Sequence, residues 1–126
     1  MSSDMEIRDL KTGDIIIDGY RDAVITGLTC DGNVETTANE YSNIENISDK
    51  PLTEEILLKN EFYYERNVGY VWEYDNDSVI VDMCDNNLRI ILNREKVLDY
   101  NTFYTLSVRE LQHALWFFDI NLEIEI

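Results

Sequence analysis

The chain holds one proline, one histidine and two cysteines, and only 10 Lys plus Arg against 26 Asp plus Glu. Each shortage excludes something. Nucleic-acid affinity rests on cations that neutralise phosphates, so a formal net charge of -16 argues against direct binding to DNA or RNA and against anionic lipid surfaces. Cys30 and Cys84 stand far apart with no CxxC pair, and they read as reduced thiols. His113 is the sole histidine, and no nucleophile or orienting acid is marked to converge on it. No catalytic residue, metal or cofactor is therefore expected. No apolar run approaches the roughly 18 residues of a membrane span. The opening Met1-Ser2-Ser3-Asp4 lacks the basic and apolar regions of a secretory signal, so a cytoplasmic location is expected.

What the chain does have is acid on a folding scaffold. Hydrophobic residues make up 44% and aromatics 11%, unlike acidic disordered tails. Residues 1–50 carry 11 acidic and 4 basic side chains, and residues 51–126 carry 15 and 6, so neither half is a detachable acidic tail. Such an excess repels itself and must be offset by a buried core. It also exceeds the net charge of roughly 2 to 8 that solubility asks of a small domain, which points to an electrostatic role.

Turn signals and β-branched runs place a small, strongly bent sheet over residues 7 to 49. A strand follows the Gly13-Asp14 step, a turn at Asp18-Gly19-Tyr20 leads into Arg21 to Leu28, and Asp31-Gly32 marks a hairpin before Val34 to Thr37. The expected architecture for residues 1–50 is an SH3-like β subdomain. Pro51 marks the boundary. Thr53 is an N-cap, Glu54 and Glu55 favour the positive helix end, and Leu52 with Leu57 forms a hydrophobic staple, so a helix is expected from Glu54 to about Lys59. Four strands follow: Phe62 to Glu65, Tyr70 to Tyr74, Ser78 to Met83 and Leu88 to Leu92. Ser107 and Glu110 form a capping box ahead of a helix over about 108 to 118, with Leu106 and Leu111 as a second staple. Strict alternation from Ile120 to Ile126 predicts a final strand with Glu123 and Glu125 facing outward. The whole reads as an α+β protein, with residues 51–126 forming a subdomain whose antiparallel sheet packs on the last helix.

The block Pro51-Leu52-Thr53-Glu54-Glu55-Ile56-Leu57-Leu58-Lys59-Asn60-Glu61-Phe62, with the later Leu106-Ser107-Val108-Arg109-Glu110-Leu111-Gln112-His113-Ala114-Leu115, resembles a family of small proteins from bacterial genomes and their phages. That family has a "PLTEEILLK…GF" helix and a closing "VHELQNAL"-like helix. This chain departs from the pattern where Asn60-Glu61 replaces the glycine before Phe62, and where Arg109 replaces a frequent His. The resemblance implies a mobile-element or phage accessory protein and carries no catalytic residue.

Glu73, Asp75 and Asp77 alternate, as do Glu123 and Glu125, and same-face strand residues lie about 6.6 to 6.8 Å apart. Such rows imitate a nucleic-acid backbone and suit the basic channel of a nucleic-acid-binding protein. Taken singly, each carboxylate is an ordinary solvated side chain; the global excess is what favours a common role. Asp82 and Asp85 extend the acidic group. A calcium loop would need glycine and glutamate where Ile80 and Asn86 stand, so a hairpin is the better reading of Asp75-Asn76-Asp77. Trp116 and Phe117 are candidates for an apolar patch, because the last helix carries apolar side chains on more than one face. The expected function is that of a non-enzymatic interaction protein that covers a basic, nucleic-acid-binding surface of a host protein, as an inhibitor of a defence system. The alternative is a structural or assembly module that self-associates through apolar surface. An enzyme built around His113 ranks third.

Overall fold

A computed structural model describes residues 9–29, 31–83, 88–100 and 106–126. The chain forms two compact units, residues 1–50 and 51–126, each built on an antiparallel sheet. Cys30 and Cys84 lie outside the described residues. Among the described residues, no helix is long and apolar enough to cross a membrane.

The first unit is a five-stranded meander with order β4-β3-β2-β1-β5. Its strands are β1 (Ile15–Asp18), β2 (Arg21–Leu28), β3 (Asn33–Thr36), β4 (Ser42–Asn43) and β5 (Ile47–Asp49). A 3-10 turn at Ile44–Asn46 separates the last two. The first half of β2 pairs with β1 and the second half with β3, with a register shift between Ile25 and Gly27. One strand thus serves two partners, and the shift lets it bend. Ile16, Ile25, Val34 and Ile47 fill the core, with Leu10 and Ala23.

Asp18 is 4% exposed at the end of β1. Its Oδ2 accepts hydrogen bonds from Ser42 Oγ at 2.6 Å, Thr36 Oγ1 at 2.8 Å and Asn39 Nδ2 at 3.1 Å. A buried carboxylate without donors would be costly; here three donors from one side hold it. Burial pushes its pKa up, and the three hydrogen bonds outweigh burial, so the group titrates below its ordinary 3.8. The effect is to pin the end of β1 to β3, β4 and the loop between them.

The second unit opens with α1 (Glu54–Lys59), whose N-cap Thr53 accepts from Ile56 N at 3.3 Å. A meander follows, in order β10-β9-β8-β7-β6: β6 (Tyr63–Glu65), β7 (Gly69–Tyr74), β8 (Asp77–Asp82), β9 (Leu88–Leu92) and β10 (Lys96–Tyr100). The fifth strand, β10, is absent from the sequence reading. At Gly69, φ is +126°, and a Cβ there would lie 2.7 Å from Val81 O, so only glycine lets β7 approach β8 this closely.

α2 (Val108–Phe117) starts with the expected capping box: Ser107 Oγ accepts from Glu110 N at 3.1 Å, and Glu110 Oε1 accepts from Ser107 N at 3.0 Å. The two helix starts are coupled, because Leu52 N donates to Leu106 O at 2.8 Å and Pro51 bridges Ser107. Both staple pairs, Leu52 with Leu57 and Leu106 with Leu111, are buried.

The two helices also end alike. After α1, Glu61 N donates to Leu58 O and Phe62 N to Leu57 O; after α2, Asp119 N donates to Trp116 O and Ile120 N to Leu115 O. This paired pattern is a Schellman motif, with its apolar contact supplied by buried Leu57 and Phe62 in one case and Leu115 and Ile120 in the other. The residue in the left-handed position is Glu61 (φ 69°) or Asp119 (φ 55°), where glycine is usual.

The final segment is not a strand, which corrects the sequence reading. Its burial still alternates: Ile120 and Ile124 are buried while Asn121, Glu123 and Glu125 are exposed. It leaves the end of α2 and is anchored beside the end of α1, where Asn60 Nδ2 donates to Glu125 O at 2.7 Å and Asn60 Oδ1 accepts from Glu125 N at 2.8 Å. Lys59 Nζ donates to Ile126 O at 2.8 Å. α1 leads into β6 at one sheet edge, and Phe118 at the end of α2 lies by the β9–β10 turn towards the other. The tail therefore runs across the strands. Alternation reports an extended backbone with one buried face, and it does not by itself report a ladder.

Candidate functional site

The β7–β8 hairpin closes on Tyr74 opposite Asp77, leaving a two-residue turn of Asp75 and Asn76. Asp75 takes φ 57°. Glu73, Asp75 and Asp77 thus stand around a hairpin tip, on two strands and a turn, and they are not a row along one strand. A calcium-binding loop is excluded at the same stroke, because β8 already begins at Asp77.

The tip is fastened to the β9–β10 turn. Asn93 Oδ1 accepts from Ser78 N at 2.8 Å, Asn93 N donates to Ser78 O at 2.8 Å, and Asn93 Nδ2 reaches Asp77 Oδ1 at 3.4 Å. Glu73 Oε1 accepts from Tyr63 Oη at 2.8 Å and lies 3.4 Å from Arg94 Nη2. The hydrogen bond to the Glu73 carboxylate pushes the Tyr63 phenol above its ordinary 10.0. Both members of the Glu73–Arg94 pair are about half exposed, so the pair adds little stability.

The end of α2 joins the same place. Phe118 lines an open depression of about 320 Å³ with Leu92, Asn93, Glu95 and Lys96 of the β9–β10 turn. Phe117 packs edge-to-face on Phe118 with ring centroids 5.0 Å apart and is 79% exposed. Trp116 is 38% exposed and lies 5.6 Å from the ring of His113. That contact places the sole histidine against an aromatic ring.

Topology therefore gathers most of the expected contact residues at one end of the second unit. Glu73, Asp75 and Asp77 stand at the hairpin tip, Trp116 and Phe117 in the last turn of α2, and Glu123 and Glu125 on the tail that crosses there. Three further acids share this end and were not singled out from the sequence: Glu61, Glu95 and Asp119. Among the described residues, the cations at this end are Arg94, which lies beside Glu73, Lys59, which reaches Ile126 O, and Lys96, which lines the depression.

Two expected members are elsewhere. Asp82 pairs with Arg89 at 2.7 Å across β8 and β9, at the far end of the sheet, and is largely buried. Its charge serves the fold. Asp85 lies outside the described residues. The signal that separates Asp82 from the tip acids is register, which a single sequence does not display: Arg89 stands directly opposite it. Among the described residues, no group of three or more His, Cys, Asp or Glu side chains is arranged to hold a metal ion. Compared with known proteins, the chain matches no protein-family model, no curated protein and no solved structure.

Proposed function

We propose that this chain is a non-enzymatic binding protein that docks its acidic end on a basic, nucleic-acid-binding surface of another protein. One observation carries the reading. Glu61, Asp75 and Asp119 occupy the left-handed backbone region at that end, with φ of 69°, 57° and 55°, as do Asn93 and Arg94 of the β9–β10 turn. Glycine suits such positions better, and a side chain there costs on the order of 1 kcal/mol. Two of the three also place a negative charge at the negative end of a helix. The helix-end penalty is the one specific to acid, and at Glu61 and Asp119 a negative charge is kept against it, which favours a role other than stability.

Charge supports the same reading. Among the described side chains exposed to solvent, acids outnumber bases by more than two to one. A cationic partner would be steered to such a surface, quickly and in a salt-sensitive way. The family resemblance of the two helix blocks supplies a setting: a phage or mobile-element inhibitor, located in the cytoplasm, that occupies the channel a defence protein uses for nucleic acid. In this reading residues 1–50 are an SH3-like barrel, which the strand order, the shared bent β2 and the 3-10 turn before β5 support.

The test is competition. Proteins captured by the tagged chain are challenged with DNA and RNA oligonucleotides, which should release them. Complexes that hold nucleic acid and this chain together would contradict the proposal. The exposed Phe117 favours a second reading, an assembly module that self-associates through apolar surface.

A further inference from the structure

Phe117 projects from the last position of α2 beside a depression whose wall includes Leu92, Glu95, Lys96 and Phe118, and Asp119 follows Phe118 in the chain. An aromatic this exposed, next to a concave apolar surface, calls for an occupant. Two fit the geometry, a second copy of this chain or a cationic segment of a partner. Area argues against the copy, since Phe117 and Trp116 offer on the order of 150–250 Å² each. A stable interface buries roughly 1,200 Å² or more. Charge argues against it as well, because two copies meeting here would press their acidic ends together. The cationic segment meets neither objection.

We propose that the aromatic end of α2 and its depression recognise arginine, and not basic charge in general, in the docked partner. This rests on the acidic-docking reading above and specifies the chemistry of its contact. A planar guanidinium can lie on an aromatic face and at the same time direct paired N–H groups at a carboxylate; an ammonium on a flexible stem offers only a point charge. The ring and the carboxylates share this end of the unit. Phe117 touches Phe118, Phe118 shares the depression with Glu95, and Asp119 is the next residue. The acids of the hairpin tip attract any cation, whereas the ring discriminates between cations.

Acetylated, amidated hexa-arginine and hexa-lysine peptides serve as probes, titrated into the full chain by calorimetry at low salt. The native chain should bind hexa-arginine about threefold more tightly or better, and Phe117→Ala should bring the two peptides to equal affinity. Because Phe117 is 79% exposed, the variant should fold normally, which its thermal transition checks. Glu73→Gln with Asp77→Asn should weaken both peptides alike and keep the arginine preference. Equal binding of both peptides by the native chain overturns the inference alone, as does a preference that survives Phe117→Ala. Binding of neither peptide overturns the docking reading itself. A dimer in light scattering that Phe117→Ala dissolves assigns the patch to a second copy and also overturns the inference.

Discussion

Asn60 holds both backbone polar groups of Glu125: Nδ2 donates to Glu125 O at 2.7 Å and Oδ1 accepts from Glu125 N at 2.8 Å. The same Nδ2 also donates to Ile56 O at 2.7 Å, so one buried amide closes α1 and fastens the tail. A side chain here replaces the neighbouring strand that the tail does not have. Asn60→Ala should destabilise the protein by about 1–3 kcal/mol, by removing the two hydrogen bonds that hold Glu125 and the side-chain bond to Ile56 O. Denaturant unfolding measures the loss, and hydrogen exchange at the Glu125 amide should accelerate before the rest of the unit is affected.

Asp18 makes the first unit sensitive to acid. Its folded pKa lies below its ordinary value of 3.8, so its contribution to stability is present above that value. The contribution is lost as pH falls through the lower, folded value. Asp18→Asn keeps the shape but weakens three charge-assisted hydrogen bonds, and about 1–3 kcal/mol should be lost near neutrality. The stability gap between variant and native chain should narrow on acidification. A gap that stays constant down to pH 3 would show that the carboxylate charge does not hold the three donors.

Glu61→Gly and Asp119→Gly separate stability from function. Each relieves a left-handed side chain and removes a negative charge from a helix C-terminus, so each should stabilise by about 0.5–1 kcal/mol. The same changes should weaken binding to a cationic partner. Thermal melts and binding isotherms on the two variants read both effects.

Tyr63 reports on Glu73. With the carboxylate present the phenol titrates above 10.0; Glu73→Gln should return it towards that value. The ring carbon shifts of Tyr63 followed by NMR through alkaline pH resolve it from the other seven tyrosines.

The helices were legible because their signals are local. Thr53, Ser107, Glu110 and the two leucine staples act within a few residues, and α1 and α2 begin where these motifs place them. The tail was misread because Ile120-Asn121-Leu122-Glu123-Ile124 alternates as a paired strand does, while what decides pairing is whether an edge lies alongside. β10 was missed because its core, Val97-Leu98, is flanked by Lys96 and Asp99 and follows a turn lacking glycine, with Asn93 and Arg94 supplying the positive φ. The Asn60-Glu61 pair before Phe62 was visible in the sequence. Its meaning was not, since only the hydrogen bonds to Leu57 and Leu58 place Glu61 in a left-handed cap. The candidate site as a whole depends on strand order: Glu73 lies far in the chain from Phe117 and Glu123 and shares one end with them only through the meander and the crossing tail.

Salt dependence of cation binding is the most direct measure of the acidic docking surface. The affinity of the native chain for hexa-lysine, measured from about 50 to 200 mM salt, should fall steeply. The variant carrying Glu73→Gln, Asp75→Asn and Asp77→Asn should bind more weakly and show a flatter slope. Identical affinities and slopes for the two proteins would contradict the central claim that the hairpin-tip acids form the docking surface.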